Sequence, residues 1–297
     1  GTNGIKLIHE AGGLVLTQRK DTAKFLDMPK SAEQTGIVDY ILTPSEMPKV
    51  LSQYINYKRI DIQEEELLKI YTLVKDKCGI DFSLYKQNSV LRRIERRINL
   101  FGKQCKDLKD YRKFLQANPN EIIKLQHDLL IGVTHFFRDY EAFEIIKKEV
   151  LPQIFQHKRN INEKEIRIWV AGCSTGQEAY SLAILFKEYM DEIKEDFRLR
   201  IFATDLDTNA IKIAMQGVYP ESVKSSLSKS RIANYFEQHG AYLKVKKEIR
   251  DMIVFAPHNI AKDSPFVHLD FISCRNMMIY FQPKLQKKVL SLFHFSL

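Results

Sequence analysis

The chain has 297 residues, 44% hydrophobic and 28% charged, with a formal charge of +9. That length and balance suit a globular protein with room for two domains and a sizeable core. They exclude a membrane span of about eighteen apolar residues, and residues 1–10 lack the basic-then-apolar pattern of a signal peptide.

An excess of 46 basic over 37 acidic residues fits an acidic partner: nucleic acid, a membrane surface or a protein. Charge alone does not choose among them. Cys78, Cys105, Cys173 and Cys274 lie far apart, with no CxxC pair and no histidine at zinc spacing. Reduced, mostly buried thiols, no metal and a cytoplasmic location are expected.

In chain order, Gly13-Leu-Val-Leu-Thr17 and Val38-Asp-Tyr-Ile-Leu42 read as strands in a piece of an α/β domain, with Gly1 opening it abruptly. Pro44 and Pro48 bracket a helix start, and the charged stretch 58–66 reads as a linker. Leu67, Ile70, Tyr71 and Val74 share one helical face, and so do Leu91, Ile94, Ile98 and Phe101. On the opposite side of that second helix Arg92, Arg93, Arg96 and Arg97 are expected to form one exposed surface. Helical spacing continues through 111–115 and 121–130, making a small all-α domain.

From Glu165 the pattern becomes strand, turn and helix. Strands are expected at 166–171, 200–204, 252–256 and 269–274, with a helix over 177–189. Strands interleaved with helices predict a parallel, doubly wound sheet. The long stretch 208–250 exceeds a simple crossover, and a small β insertion is expected near 241–250.

Ala171-Gly-Cys-Ser-Thr-Gly176 joins the first of these strands to its helix. It fits a ligand approaching exposed amides, and equally a tight turn that needs Gly172 and Gly176. Asp205 ends the second strand, where a carboxylate can accept from both ribose hydroxyls or can cap the helix that follows. Asn259 and Asn276 follow the third and fourth strands, where either is also a common turn residue. Ligands of open α/β sheets bind beyond the carboxyl ends of the strands, so Gly172, Asp205, Asn259 and Asn276 are expected to converge on one crevice.

Four motifs in this order, Leu129-Leu-Ile-Gly-Val-Thr-His-Phe-Phe-Arg138, Ala171-Gly-Cys-Ser-Thr-Gly-Gln-Glu-Ala-Tyr-Ser181, Ala203-Thr-Asp205 and Cys274-Arg-Asn-Met-Met-Ile-Tyr-Phe281, resemble CheR-type protein-glutamate methyltransferases from about residue 61 onward. Residues 1–57 resemble the end of a CheB-type methylesterase domain in Gly1-Thr-Asn-Gly4, Glu10-Ala-Gly-Gly13, Asp27-Met-Pro-Lys-Ser31 and Thr35-Gly-Ile-Val38. The two enzymes occur fused in some chemosensory hybrids.

The fold implied is an α/β, Rossmann-like S-adenosylmethionine methyltransferase sheet, C-terminally truncated, preceded by a small all-α domain and a methylesterase fragment. The implied division is 1–57, a linker at 58–66, helices over 67–130 and the methyltransferase domain over 131–297. Relatives continue past Leu297 into further strands, so the fourth strand's edge is expected to be unpaired and stability reduced.

The resemblance also implies roles. Glu178 would hold the methionyl amino group and Asp205 the ribose, with Asn259, Ile260, Asn276 and Met277 around the adenine and sulfonium, and Thr134, Arg138 and Gly172 completing the cofactor site. Arg138 would hold a carboxylate and Tyr280 would shape the transfer position. Gly132 departs from the Asn of many relatives. The arginines 92, 93, 96 and 97 would meet acidic receptor helices, and in relatives an insertion like this one can dock onto receptors.

The implied reaction forms glutamate methyl esters on the cytoplasmic domains of chemoreceptors, with S-adenosylhomocysteine as product and without nucleic acid, metal or membrane insertion. Asn3 stands where esterase relatives carry an aspartate, so esterase activity is not expected. The alternatives are a methyltransferase for another acceptor and a non-catalytic cofactor-binding scaffold.

Overall fold

The computed structural model describes residues 4–5, 7–8, 13–33, 35, 38–55, 64–130, 132 and 134–297. It divides into two compact units, Gly1–Val133 and Thr134–Leu297.

In the first unit β1 (Leu16–Gln18) and β2 (Tyr40–Leu42) pair in parallel. The helix Asp27–Glu33 crosses between them and packs on β1, burying Ala32. The first strand begins later than the apolar run suggests, because Val15 is already committed at both ends of its peptide. Its N–H donates to Asp39 Oδ2 at 2.6 Å and its carbonyl accepts from Asp39 N at 2.8 Å.

Four helices follow, Glu64–Cys78, Gln87–Phe101, Leu108–Ala117 and Pro119–Leu129. Leu67, Ile70, Tyr71 and Val74 are buried as their spacing predicts, beside Ile94, Ile98, Tyr111, Leu115 and Leu125. Asp107 starts the third helix by accepting from the Asp110 amide at 2.8 Å, and Pro119 stands in the first turn of the fourth, where no amide donor is needed.

Two expectations fail here. The linker drawn at 58–66 overlaps a helix: Glu64, Glu65 and Glu66 form the first turn of Glu64–Cys78, where carboxylates suit the positive end of the helix dipole. The rest of that stretch, like Asn3, lies outside the described residues.

The arginine surface is not formed either. Arg93 is 7% exposed and donates to the Asp128 carbonyl at 2.8 Å. Arg97 bonds Glu121 Oε1 through Nε and Nη2 at 2.8 and 2.6 Å and reaches Asp128 Oδ2 at 3.1 Å. Arg96 sits 2.6 Å from Asp39 Oδ1 as an ion pair. Only Arg92 of the four is exposed. The face that a helical wheel assigns to solvent is covered by the acidic side of Pro119–Leu129 and by the Asp39 turn, so three arginines pair within the unit.

The second unit opens with Tyr140–Ile145, a π turn over Ile146–Val150 and the helix Leu151–Asn160. Its strands are β3 (Glu165–Ala171), β4 (Arg198–Asp205), β5 (Val218–Pro220), β6 (Phe236–His239), β7 (Tyr242–Val245), β8 (Ile253–Pro257) and β9 (Phe271–Ser273). The main sheet has the order β8-β4-β3-β9 with all pairs parallel, as the alternating pattern predicts.

β3 and the helix Gln177–Ile193 form the core. Ile166, Ile168, Trp169 and Val170 are fully buried, as are Ala179, Tyr180 and the run Ala183–Phe186. Trp169 satisfies its indole N–H on Thr204 Oγ1 at 2.9 Å, which permits so large a polar-tipped side chain in the sheet.

The insertion is wider than expected. β5, β7 and β6 form an antiparallel sheet in that order, drawing on residues from 218 to 245, while Lys247–Arg250 is a helical turn. The sequence stretch 242–250 runs straight through this change, because its apolar residues serve one strand and then one turn of helix. All four cysteines are free thiols, and among the described residues no helix is long and apolar enough to cross a membrane.

Removing Arg97 leaves Glu121 buried without its cation, so Arg97→Ala is expected to cost about 3–5 kcal/mol of stability. Arg92→Ala is expected to cost within about 0.5 kcal/mol. Urea unfolding of both variants checks this, and equal small effects would restore an exposed arginine surface.

Candidate functional site

Strand order reverses between β3 and β9, since β4 and β8 lie on one side of β3 and β9 on the other. That switch point leaves an opening at the carboxyl ends of the strands. The glycine turn after β3 occupies it. Gly172 has φ +77°, and a Cβ there would lie 2.7 Å from Met277 Sδ. Gly176 has φ +92°, and its Cβ would meet Ala214 Cβ at 2.8 Å. Both glycines are therefore required by conformation and by close approach.

Asp205, at the end of β4, holds this turn. Its Oδ2 accepts the Ser174 amide at 2.7 Å and its Oδ1 accepts the Asp207 amide at 2.9 Å. The helix-capping role open to Asp205 falls instead to Asp207, whose carboxylate accepts from Asn209 and Ala210. Burial pushes the Asp205 carboxyl above its usual range, against the pull of the backbone amides of Asp207, Ser174 and Leu206. The Asp205 carbonyl accepts from His258 N at 3.0 Å, which brings the end of β8, and with it Asn259 and Ile260, to the same edge. Asn259 Oδ1 closes a local turn by accepting from Ala261 N at 3.0 Å, and Ile260 is buried.

On the other side of the turn Glu178, in the first turn of the helix Gln177–Ile193, accepts the Ser273 hydroxyl at 2.6 Å. Burial raises its carboxyl, while Ser273, Arg275 and Arg138 act in the opposite sense. Arg275 crosses the site: Nη2 donates to the Arg138 carbonyl at 2.7 Å and to Asp139 Oδ2 at 2.8 Å. Its Nη1 lies 4.0 Å from Glu178 Oε2, and among the described residues it has no hydrogen-bond partner. Burial pushes the neighbouring Cys274 thiol up to about 12, so it stays neutral and is no nucleophile.

The structure thus gathers Gly172, Glu178, Asp205, Asn259, Ile260, Met277 and the Arg138 main chain around one edge of the sheet. Asn276 sits exposed at its rim, Tyr280 follows in the short turn Met278–Tyr280, and Thr134 is half-buried at the start of the unit. Arg92, Arg93, Arg96 and Arg97 belong to the other unit. Residue-by-residue reading missed Ser174, Ser273, Arg275 and Asp139, whose partners are distant in sequence. Ser174 lies within the quoted glycine-turn motif, Arg275 within Cys274-Arg-Asn with Ser273 just before it, and Asp139 directly after the motif that ends at Arg138.

Backbone strain marks the same place. Of seven non-glycine residues with left-handed φ among the described ones, Phe137, Asp139, Ser174 and Asn276 lie in these three loops. Such conformations cost of order 1–3 kcal/mol each and persist where surroundings over-determine them.

A parallel switch-point sheet with a glycine turn flanked by two largely buried carboxylates is an arrangement that suits a nucleoside-containing cofactor. The model for "CheR methyltransferase, SAM binding domain" matches residues 132–297, that for "CheR methyltransferase, all-alpha domain" matches 65–130, and that for "CheB methylesterase" matches 1–51. The chain belongs to the CheR methyltransferase family, with a CheB methylesterase fragment at its N-terminal side.

It is 31% identical to a "Chemotaxis protein methyltransferase" of Borreliella burgdorferi, over 79% of this chain and 84% of the relative. To the protein of the same name in Escherichia coli it is 29% identical, over 80% of this chain and 81% of the relative. It is also 32% identical along its whole length to an "Uncharacterized 104.1 kDa protein in hypE 3'region" of Rhodobacter capsulatus, of which it spans 34%.

Gly172→Ala is expected to lower stability by about 1–2 kcal/mol from the left-handed backbone alone. Met277, which must move to admit the Cβ, adds to that. Chemical unfolding measures the loss; a neutral substitution would mean the turn relaxes without cost.

Proposed function

We propose that this chain binds S-adenosylmethionine at the switch-point crevice and transfers its methyl group to glutamate side chains in the cytoplasmic domains of chemoreceptors, forming methyl esters. The observation that carries the reading is the pair of largely buried carboxylates, Glu178 and Asp205, on either side of the glycine turn. Its residues fit the cofactor. Burial makes the Glu178 anion costly, so a cationic amino group beside it would be favourable, and the Arg275 Nη1 donor would gain from a ligand carboxylate.

In this reading Asp205 takes the ribose hydroxyls on the lone pairs its two amide bonds leave. Asn259 and Ile260 flank the adenine, Asn276 and Met277 flank the sulfonium region, and Thr134 and Arg138 close the site. The cofactor, when bound, supplies an electrophilic methyl group on a sulfonium.

The acceptor carboxylate, with a reference pKa of about 4.3, is ionised at neutral pH and needs no general base. The chain's task is to align it and to exclude water. Arg138 holds a carboxylate there, and Tyr280 shapes the transfer position. A role in chemotaxis is supported by the names of the Borreliella burgdorferi and Escherichia coli relatives, each a chemotaxis protein methyltransferase. With Asn3 in place of the catalytic aspartate, residues 1–57 carry no esterase activity in this reading, and a receptor's cytoplasmic domain as substrate places the enzyme in the cytoplasm.

Calorimetric titration with S-adenosylhomocysteine tests the site: wild type is expected to bind and Asp205→Ala to lose about tenfold or more, the removal of a hydrogen-bonded charged group being worth about 1.5–3 kcal/mol. A folded wild-type chain that does not bind sinks the reading.

The pH dependence follows from Glu178. Its native carboxyl is raised, so as pH falls towards that value from neutrality the anion is lost and affinity should fall, in a window lying above the ordinary value of about 4.3. Glu178→Gln should bind weakly and flatten that slope. For stability the sign is the reverse. Native Glu178 and Asp205 hold protons more tightly than the unfolded chain, so their contribution to stability declines as pH rises from the unfolded value through the native one.

A further inference from the structure

The three-stranded insertion grips both loops at the crevice. Tyr219 of β5 is buried and donates its hydroxyl to the Thr175 carbonyl, inside the glycine turn, at 2.7 Å. Its ring meets Phe136 edge-on at 5.1 Å between centroids, and Phe236 of β6 meets the same Phe136 ring at 5.3 Å. Arg231, in the helix Lys229–Tyr235 between β5 and β6, lies 3.7 Å from the centroid of the Phe137 ring. Its Nε and Nη2 donate to the two carboxylate oxygens of Glu188 at 2.8 Å, which fixes the guanidinium over that ring.

Phe137 is the strained residue immediately before Arg138, with φ +49°. Its amide is held by Ser181 Oγ at 2.9 Å. A left-handed phenylalanine has no local reason to persist, so the contacts on its ring and amide must supply one. Four side-chain contacts from the insertion thus converge on two loops, and those loops carry Gly172, Gly176 and Arg138.

We propose that the insertion is a positioning element for the crevice: Tyr219 sets the glycine turn, while Tyr219, Phe236 and Arg231 lock Phe136 and Phe137 so that Arg138 is presented to bound cofactor. This rests on the cofactor assignment made above and adds to it the residues that hold the site from outside. Tyr219 and Arg231 are positioning residues, which need touch neither cofactor nor acceptor. A purely packing role would change stability and leave the affinity of the folded protein alone; a positioning role changes affinity at constant fold.

The test is calorimetry with S-adenosylhomocysteine on wild type, Tyr219→Phe, Arg231→Met and Arg231→Lys, each with a thermal unfolding curve. Glu237→Ala, on the exposed part of β6, serves as control. Tyr219→Phe keeps the ring and removes only the bond to Thr175. Arg231→Met keeps the length and removes the charge. Each is expected to weaken binding about three- to tenfold, the range of coupling carried by packed networks, with Arg231→Lys recovering part of the loss and Glu237→Ala equal to wild type.

Wild-type affinity in both Tyr219→Phe and Arg231→Met overturns the proposal, as does a loss that merely tracks a fallen melting temperature. Failure of the folded wild type to bind overturns the cofactor assignment and this proposal with it, and is distinguished by needing no variant.

Discussion

The Asp205 carboxylate is largely buried at the end of β4 and accepts the Ser174 amide from the turn after β3. Everything at the crevice depends on this bond. It joins the two central strands just beyond their last ladder pair, Ala171 with Thr204, and holds open a turn whose glycines could otherwise take other conformations. A neutral side chain there would leave amides without a charged acceptor, and charge-assisted hydrogen bonds are about twice as strong as neutral ones. Burial makes the anion costly, and backbone amides offset that cost in part. The carboxylate is thus poised between structural service and any role toward a ligand.

Around it the site is assembled from three loops that would not keep their shapes alone. Phe137, Asp139, Ser174 and Asn276 all hold left-handed backbone. Three of them are restrained by something remote in sequence: Ser181 on the Phe137 amide, Arg275 on Asp139, Asp205 on Ser174. Arg275 links two of these loops directly, because one nitrogen donates to both the Arg138 carbonyl and Asp139. Preorganisation of this kind places strain where a ligand is met, while the cost is carried by the buried core behind it.

In the first unit charge does different work. Arg97 between Glu121 and Asp128, with the Tyr111 hydroxyl also on Glu121, forms a polar knot between helices. Arg96 extends it to Asp39, which also receives the Val15 amide. The methylesterase-type segment and the helical domain are therefore tied by one buried aspartate that serves the parallel strand pair and the arginine helix together.

Much of this was legible in the sequence because it rests on local rules. Period and length marked the four helices of the first unit and the parallel strands of the second. The apolar run Ile166-Arg-Ile-Trp-Val-Ala171, short, β-branched and bounded by a glycine turn, fits a buried strand, and Gly172, Asp205 and the motif order pointed to the crevice and its family.

Tertiary structure alone decided what each polar group does. Periodicity places Arg93, Arg96 and Arg97 opposite an apolar stripe, yet it carries no record of the acidic helix that covers them. The cap belongs to Asp207 and the turn to Asp205, two carboxylates two residues apart that sequence cannot separate. Ser273, Arg275, Tyr219 and Arg231 act through partners 43 to 137 residues away. Hydrogen bonds and ring contacts at that separation depend on how elements pack in space, and no local pattern in the chain encodes them.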